Sequence, residues 1–409
     1  MNIAIHSSLA AVVLAALAGG CGKADINGPS GCEPGETRLC DCPSGREGHQ
    51  TCTADGEWDW CACPPPDASA DDVGAEEADL PPDPDAAEEP EALPDAAGDP
   101  DAEDVEEEET GPSCEGVPPP HPYSHGECPV ITGGPTAETS VNTDFLSAGD
   151  YRDFRFLIPD NYDGTEAWPL LFGWHWLNAS SRSFVEDGEL ETAAEEMRML
   201  IVLPDDYENA DGESVYWFNW PFSPTPPSTA EAREKELTFF DDLLACVSEQ
   251  YRVDPCRVHA VGVSAGALWL TYLSTTDRVD HLASIEVLSG GLADIPLELW
   301  HMEYFPQANK YPAVVLWGGP LDIIPPITFS TASQRYIEAL KADGHFVVRC
   351  VHDSGHAVPP IDPPPDGGTR FRSLWTFFMD HPYGLAPGWS PYLATGLPAD
   401  FPDWCDIVP

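Results

Sequence analysis

Residues 259–270 read HAVGVSAGALWL. One serine, Ser264, stands between Gly262 and Gly266 in the pattern G-x-S-x-G. The pentapeptide alone is a weak signal. At this chain's own Gly and Ser frequencies it arises by chance in about one chain in six of this length. The flanks decide its reading. RVHAVGV (257–263) is apolar and short, as a buried strand is, and a helix follows from Ala265. A strand that turns into a helix through a nucleophilic serine needs small neighbours, because the turn is strained and closely packed. Gly262, Ala265 and Gly266 supply them. The N–H of Ala265 then lies at a helix start, without an intrahelical partner, where it can bind an oxyanion. The competing reading is a serine that only lets a helix pack on a strand.

Outward from this point, short apolar runs alternate with helical patterns. Strands are expected in YRDFRFLIP (151–159), PLLFGWHW (169–176), MLIVLPDD (199–206), HLASIEVLSG (281–290), PAVVLWGG (312–319) and FVVRCVHD (346–353). Helices are expected over 185–198, 229–251, 331–344 and 370–380. In the second, Leu237, Phe240, Leu243, Leu244 and Val247 fall on one face, and Ser228 or Thr229 can cap its start. The alternation predicts an α/β fold with a mostly parallel central sheet and helices on both faces.

A serine nucleophile on such a sheet needs an acid and then a histidine further along the chain. Asp322 follows AVVLWGG in PLDIIPP, and His356 follows FVVRCVHD in SGHAVPP. Both fall in loops beyond strands, where sites form in open α/β sheets. His352 is a rival to His356, but it falls within the strand's alternation and reads as structural, as do His259 and His175. Asp322 could instead cap the turn before Pro325. Aromatic side chains gather in segments expected to border the cleft. Trp174, Trp217, Trp220 and Trp317 are candidates for a substrate wall, with 214–227 as an irregular insert. Core filling is the competing role for each.

These residues resemble the α/β-hydrolase family, and within it secreted feruloyl esterases and polyhydroxybutyrate depolymerases. The likeness rests on VDPCRVHAVGVSAGA, WGGPLDIIPP and SGHAVPP, and covers roughly residues 150–385. It implies Ser264 as nucleophile, His356 as general base and then acid, and Asp322 as the group orienting the imidazole. Two positions depart from the family. The family has His-Gly after the strand that builds the oxyanion hole, whereas this chain has His175-Trp176, leaving Trp176 or Leu177 to supply the second N–H past a bulky side chain. Ala267 replaces a second glycine.

The N-terminal third is different in kind. Residues 9–18 are an apolar run too short to span a membrane, and Ala18, Gly19 and Gly20 precede Cys21. The start resembles a bacterial lipoprotein signal (1–21) with Cys21 as the lipidated residue; a plain secretory signal is the alternative. Six of the 13 Cys lie within 32–63, a segment with little aliphatic content that reads as a small disulfide-stapled module rather than a zinc site. Residues 64–113 hold 20 Asp and Glu and no Lys or Arg, rich in Pro and Ala, and read as a disordered linker. Six further Cys lie in 114–409, with Cys246–Cys256, Cys114–Cys128 and Cys350–Cys405 as candidate disulfides.

A net charge of −53 disfavours nucleic acid and anionic lipid as partners. The expectation is an exported serine esterase, monomeric, needing no metal and no cofactor, and touching a membrane only through Cys21. Its substrate would be an ester, polymeric or attached to a polymer: feruloylated or acetylated plant polysaccharide, or polyhydroxyalkanoate. The alternative is a non-catalytic polymer- or surface-binding protein on a degenerate hydrolase scaffold.

Overall fold

The computed structural model describes residues 35–41, 47–52, 114, 116–208, 214–215, 229–295 and 300–409. The chain divides into two compact units, Met1–Glu108 and Glu109–Pro409. In the first, Thr37–Asp41 and Glu47–Thr51 pair as an antiparallel hairpin, and Cys52 is disulfide-bonded. The expected signal segment with Cys21, most of the Cys-rich module and the acidic linker lie outside the described residues.

The second unit runs β1 (Val141–Ser147), β2 (Asp150–Leu157), β3 (Trp168–Trp174), α1 (Ser181–Asp187), α2 (Leu190–Met197) and β4 (Leu200–Pro204). It continues α3 (Thr229–Gln250), β5 (Val253–Val263), α4 (Ala265–Leu273), β6 (Ser284–Leu288), β7 (Ala313–Trp317) and α5 (Phe329–Ala342). It closes with β8 (Val347–Val351), α6 (Arg372–Asp380), α7 (Tyr392–Thr395) and β9 (Cys405–Ile407). The nine strands form one sheet in the order β9-β8-β7-β6-β5-β3-β4-β2-β1. From β4 through β8 every pair is parallel, while β1, β2 and β9 join antiparallel at the ends.

Strands β3, β4, β6 and β7 are buried along their whole length because helices cover both faces, and β3, β4 and β7 read as continuous apolar runs rather than alternating ones. Alternation still sorts the side chains. Leu170, Phe172 and Trp174 meet Phe240, Leu243 and Val247 of α3 on one face. Leu171, Ile201 and Leu203 meet Phe184 of α1 and Leu374 and Phe378 of α6 on the other. Each such side chain contributes roughly 1.5–3 kcal/mol on full burial.

Several expectations change. The helix expected over 185–198 is two helices, because Gly188 closes α1 on the carbonyl of Phe184 and Glu189 takes a left-handed φ of 52°. Strands β1 and β9 were not expected from the sequence pattern. The disulfide pairing is Cys114–Cys256 and Cys128–Cys246, not Cys246–Cys256 and Cys114–Cys128. The reason lies in the N-terminal segment, which runs along α3. Ser124 donates to Asp242 through its N–H and its hydroxyl, both at 2.7 Å. Gln250 and Tyr251 donate to the carbonyls of Pro129 and Ile131. That path carries Cys128 to Cys246 and Cys114 to Cys256, instead of letting the two later cysteines close on each other. Cys350–Cys405 forms as expected, between residues directly opposite in β8 and β9.

Candidate active site

Ser264 sits at the turn from β5 into α4 with φ 54° and ψ −111°, a conformation that costs roughly 1–3 kcal/mol in a residue with a side chain. The surroundings hold it there. Its N–H donates to the carbonyl of Leu288 at the end of β6 (2.9 Å). A methyl on Gly262 would sit 2.4 Å from the Gly266 carbonyl oxygen, and one on Gly266 would sit 2.1 Å from that of Trp174. Neither position tolerates a side chain. The methyl of Ala267 is accommodated because Gly290 faces it; a Cβ at Gly290 would lie 2.6 Å away.

The three residues singled out by order along the chain come together at the carboxyl edge of the sheet. Ser264 Oγ is 2.9 Å from His356 Nε2, and His356 Nδ1 is 2.6 Å from Asp322 Oδ1. Asp322 is fully buried in the loop after β7, and its second oxygen accepts from Ser289 Oγ (2.7 Å) and the N–H of Gly318 (2.8 Å). An acceptor-only carboxylate ringed by donors places the imidazole proton on Nδ1 and leaves Nε2 to accept from the serine. The ring of Phe329 stacks on His356 at 4.6 Å. Sequence reasoning missed Ser289, Gly318 and Phe329; the first two lie in loops and Phe329 opens α5, and their contacts exist only after the sheet is assembled.

His352 is buried, edge-on to Trp404 at 5.6 Å, and burial lowers its pKa. His259 is buried between Ser284 and Phe378, and burial holds it well below the ordinary imidazole range. Both are core residues. So are Trp174 and Trp317, which were expected to line the cleft. Trp174 is 2% exposed, stacked on Phe172 at 6.0 Å, and Trp317 is 3% exposed in the same core. Both are side chains of strands covered on each face, so neither forms a wall. Trp217 and Trp220 lie outside the described residues.

The N–H groups of Ala265, Trp176 and Leu177 make no hydrogen bond among the described residues. Trp176 and Leu177 belong to the crossover 175–180 that links β3 to α1. The indole of Trp176 is half-buried against Phe184 (6.0 Å) and the core behind it. His175 is fully buried and pushed down to about 3 by that burial, so it is neutral at working pH.

Leu177, Leu321, Ile323, Ile324 and Val358 are exposed, and each lies within two residues of Trp176, Asp322 or His356. The loops carrying the last four touch: a Cβ on Gly355 would lie 3.3 Å from the Leu321 carbonyl oxygen. No Lys or Arg occurs within 174–181, 317–328 or 351–361. Cys114, Asp254 and Cys256 cluster at metal-ligand distances, but the two cysteines are joined in a disulfide and offer no thiolate.

No family model matches the chain. Among curated proteins it is similar to feruloyl esterase D of Neurospora crassa, 25% identical over 171 residues, which is 40% of this chain and 52% of that protein. The chain thus spans about half the length of that relative. Among solved structures it is similar to native pOPH, with a TM-score of 0.53 at 17% identity over 69% of this chain and 97% of that one. Native sOPH gives a TM-score of 0.51 at 17% identity, over 69% of this chain and 96% of that one.

Proposed function

We propose that this chain, an α/β-hydrolase by fold and similar in sequence to the feruloyl esterases, is a serine esterase that cleaves carboxylic esters through an acyl-enzyme. The observation that carries the reading is the continuous chain from Ser264 through His356 to Asp322, at 2.9 and 2.6 Å, on a strained elbow. Ser264 Oγ attacks the ester carbonyl as His356 Nε2 takes its proton. The oxyanion is held by the N–H of Ala265 and one from the 175–180 crossover. The leaving alcohol takes the proton from His356. Water, deprotonated by the same nitrogen, then releases the carboxylic acid and restores Ser264.

The exposed aliphatic side chains beside the triad support an ester with apolar bulk, and the loops 174–181, 317–328 and 351–361 hold no Lys or Arg that would favour an anionic substrate. Feruloyl or acetyl groups on plant polysaccharide and polyhydroxyalkanoate remain the substrate classes of this reading. Disulfides in the second unit suit an exported protein, with Cys21 as its lipid anchor. Hydrolysis of p-nitrophenyl butyrate by the full chain, compared with Ser264→Ala, tests the assignment. Equal rates would remove Ser264 from the mechanism.

A further inference from the structure

We infer that Trp176, where similar esterases are expected to carry glycine, is not an obstruction but a positioning residue. With His175 and Asp205 it aims the backbone N–H of Leu177 as the second oxyanion donor. The inference rests on the esterase reading above.

The crossover 175–180 is held at three places. At its start, the carbonyl of His175 accepts from the N–H of Gly266 in the serine elbow (3.1 Å), tying the crossover to the turn that carries Ser264. At its end, the carboxylate of Asp205, just past β4, takes both donors of the first α1 residue. The N–H of Ser181 reaches Oδ1 at 2.7 Å and its hydroxyl reaches Oδ2 at 2.6 Å. Arg155 closes this cluster, donating to Ser181 Oγ and standing 3.5 Å from Asp205. Burial nevertheless leaves the Asp205 pKa raised, although a fifth of its side chain stays exposed. Between these ends the Trp176 indole lies edge-on to Phe184, whose own ring is seated where Gly173 leaves room: a Cβ there would come within 3.1 Å of it.

These anchors fix the direction of two peptide planes. In a trans peptide the C=O and the following N–H point in opposite directions. The His175 carbonyl faces Gly266, so the N–H of Trp176 faces away from the elbow. The Trp176 carbonyl accepts from His175 Nδ1 (2.9 Å) and from the N–H of Ala179 (3.2 Å), on the side of the buried imidazole. The N–H of Leu177 therefore points away from the imidazole. Leu177 itself is 42% exposed. Glycine at 176 would leave the plane free to rotate, whereas a packed indole does not.

The test compares wild type with Trp176→Gly, Trp176→Phe and Asp205→Asn. It uses p-nitrophenyl butyrate, active sites counted with a fluorophosphonate, and a trifluoromethyl ketone as mimic of the tetrahedral adduct. Misdirection of one oxyanion donor is worth about tenfold to a hundredfold in rate. Trp176→Gly and Asp205→Asn are expected to lower kcat per active site by that factor with KM within about twofold. Affinity for the ketone should fall in parallel, and Trp176→Phe should recover most of kcat. A merely structural role would lower the melting temperature but not kcat per titrated site. That outcome, or a faster Trp176→Gly enzyme, overturns the assignment. A Ser264→Ala control that keeps wild-type activity overturns the esterase reading itself, and the assignment with it; Ser264-dependent activity with unchanged kcat in the brace variants overturns the assignment alone.

Discussion

The two flanks of Ser264 are built on different principles. In the proposed mechanism the downstream flank works through the side chains of Asp322 and His356, and that chemistry depends on residue type. On the upstream flank, the same mechanism uses backbone N–H groups of the crossover 175–180, and there the residue type says little. Tryptophan stands where glycine is expected, yet its bulk is absorbed by Phe184 and the core. A function carried by a side chain leaves a mark in the sequence, whereas one carried by the direction of a peptide plane leaves almost none.

Substitutions can break this contrast. The largest effect is expected on the downstream flank: Ser264→Ala and His356→Ala should each cost at least about 10³-fold in kcat, since members of a triad act as a unit. Asp322→Asn should come next, at about 10²- to 10⁴-fold, because the amide reverses the donor and acceptor that set the imidazole tautomer. Steady-state hydrolysis of p-nitrophenyl butyrate reads both. Asp322→Asn with near wild-type kcat would show that His356 needs no orienting group. Ser289→Ala removes one of two further donors to Asp322, a hydrogen bond to a charged group of roughly 1.5 kcal/mol, and should lower kcat about tenfold.

Away from both flanks, effects should fall on stability instead. Replacing Cys128 and Cys246 together by serine frees a loop of 118 residues and should cost about 2–5 kcal/mol in a denaturant melt, with kcat per folded molecule unchanged. The smallest effect concerns Glu286, buried in the middle of the sheet with neither carboxylate oxygen hydrogen-bonded among the described residues. Burial pushes its carboxyl well above the ordinary value of 4.5, so the folded chain keeps a proton that the unfolded chain releases. Stability tied to this group is therefore full below that ordinary value and declines as pH rises. Glu286→Gln should melt higher than wild type at pH 8, and the difference should shrink toward pH 5. A difference independent of pH would mean that Glu286 does not ionise on unfolding.

Much of this molecule follows from local chemistry. The alternation of apolar runs and helical patterns specified an α/β sheet, because a parallel strand covered on both faces is largely apolar, as β3, β4 and β7 are. The glycines around Ser264 announced a tight elbow because nothing larger fits there. Tertiary structure decided what depends on meetings between distant segments. It moved Trp174 and Trp317 from an expected wall into the core, since only the assembled sheet shows which strand ends are covered. It paired Cys114 with Cys256 and Cys128 with Cys246, since only the path along α3 says which thiols meet. It also set the direction of the 175–180 crossover, through contacts of His175 with Gly266, Trp176 with Phe184 and Ser181 with Asp205, which no repeating pattern in the sequence displays.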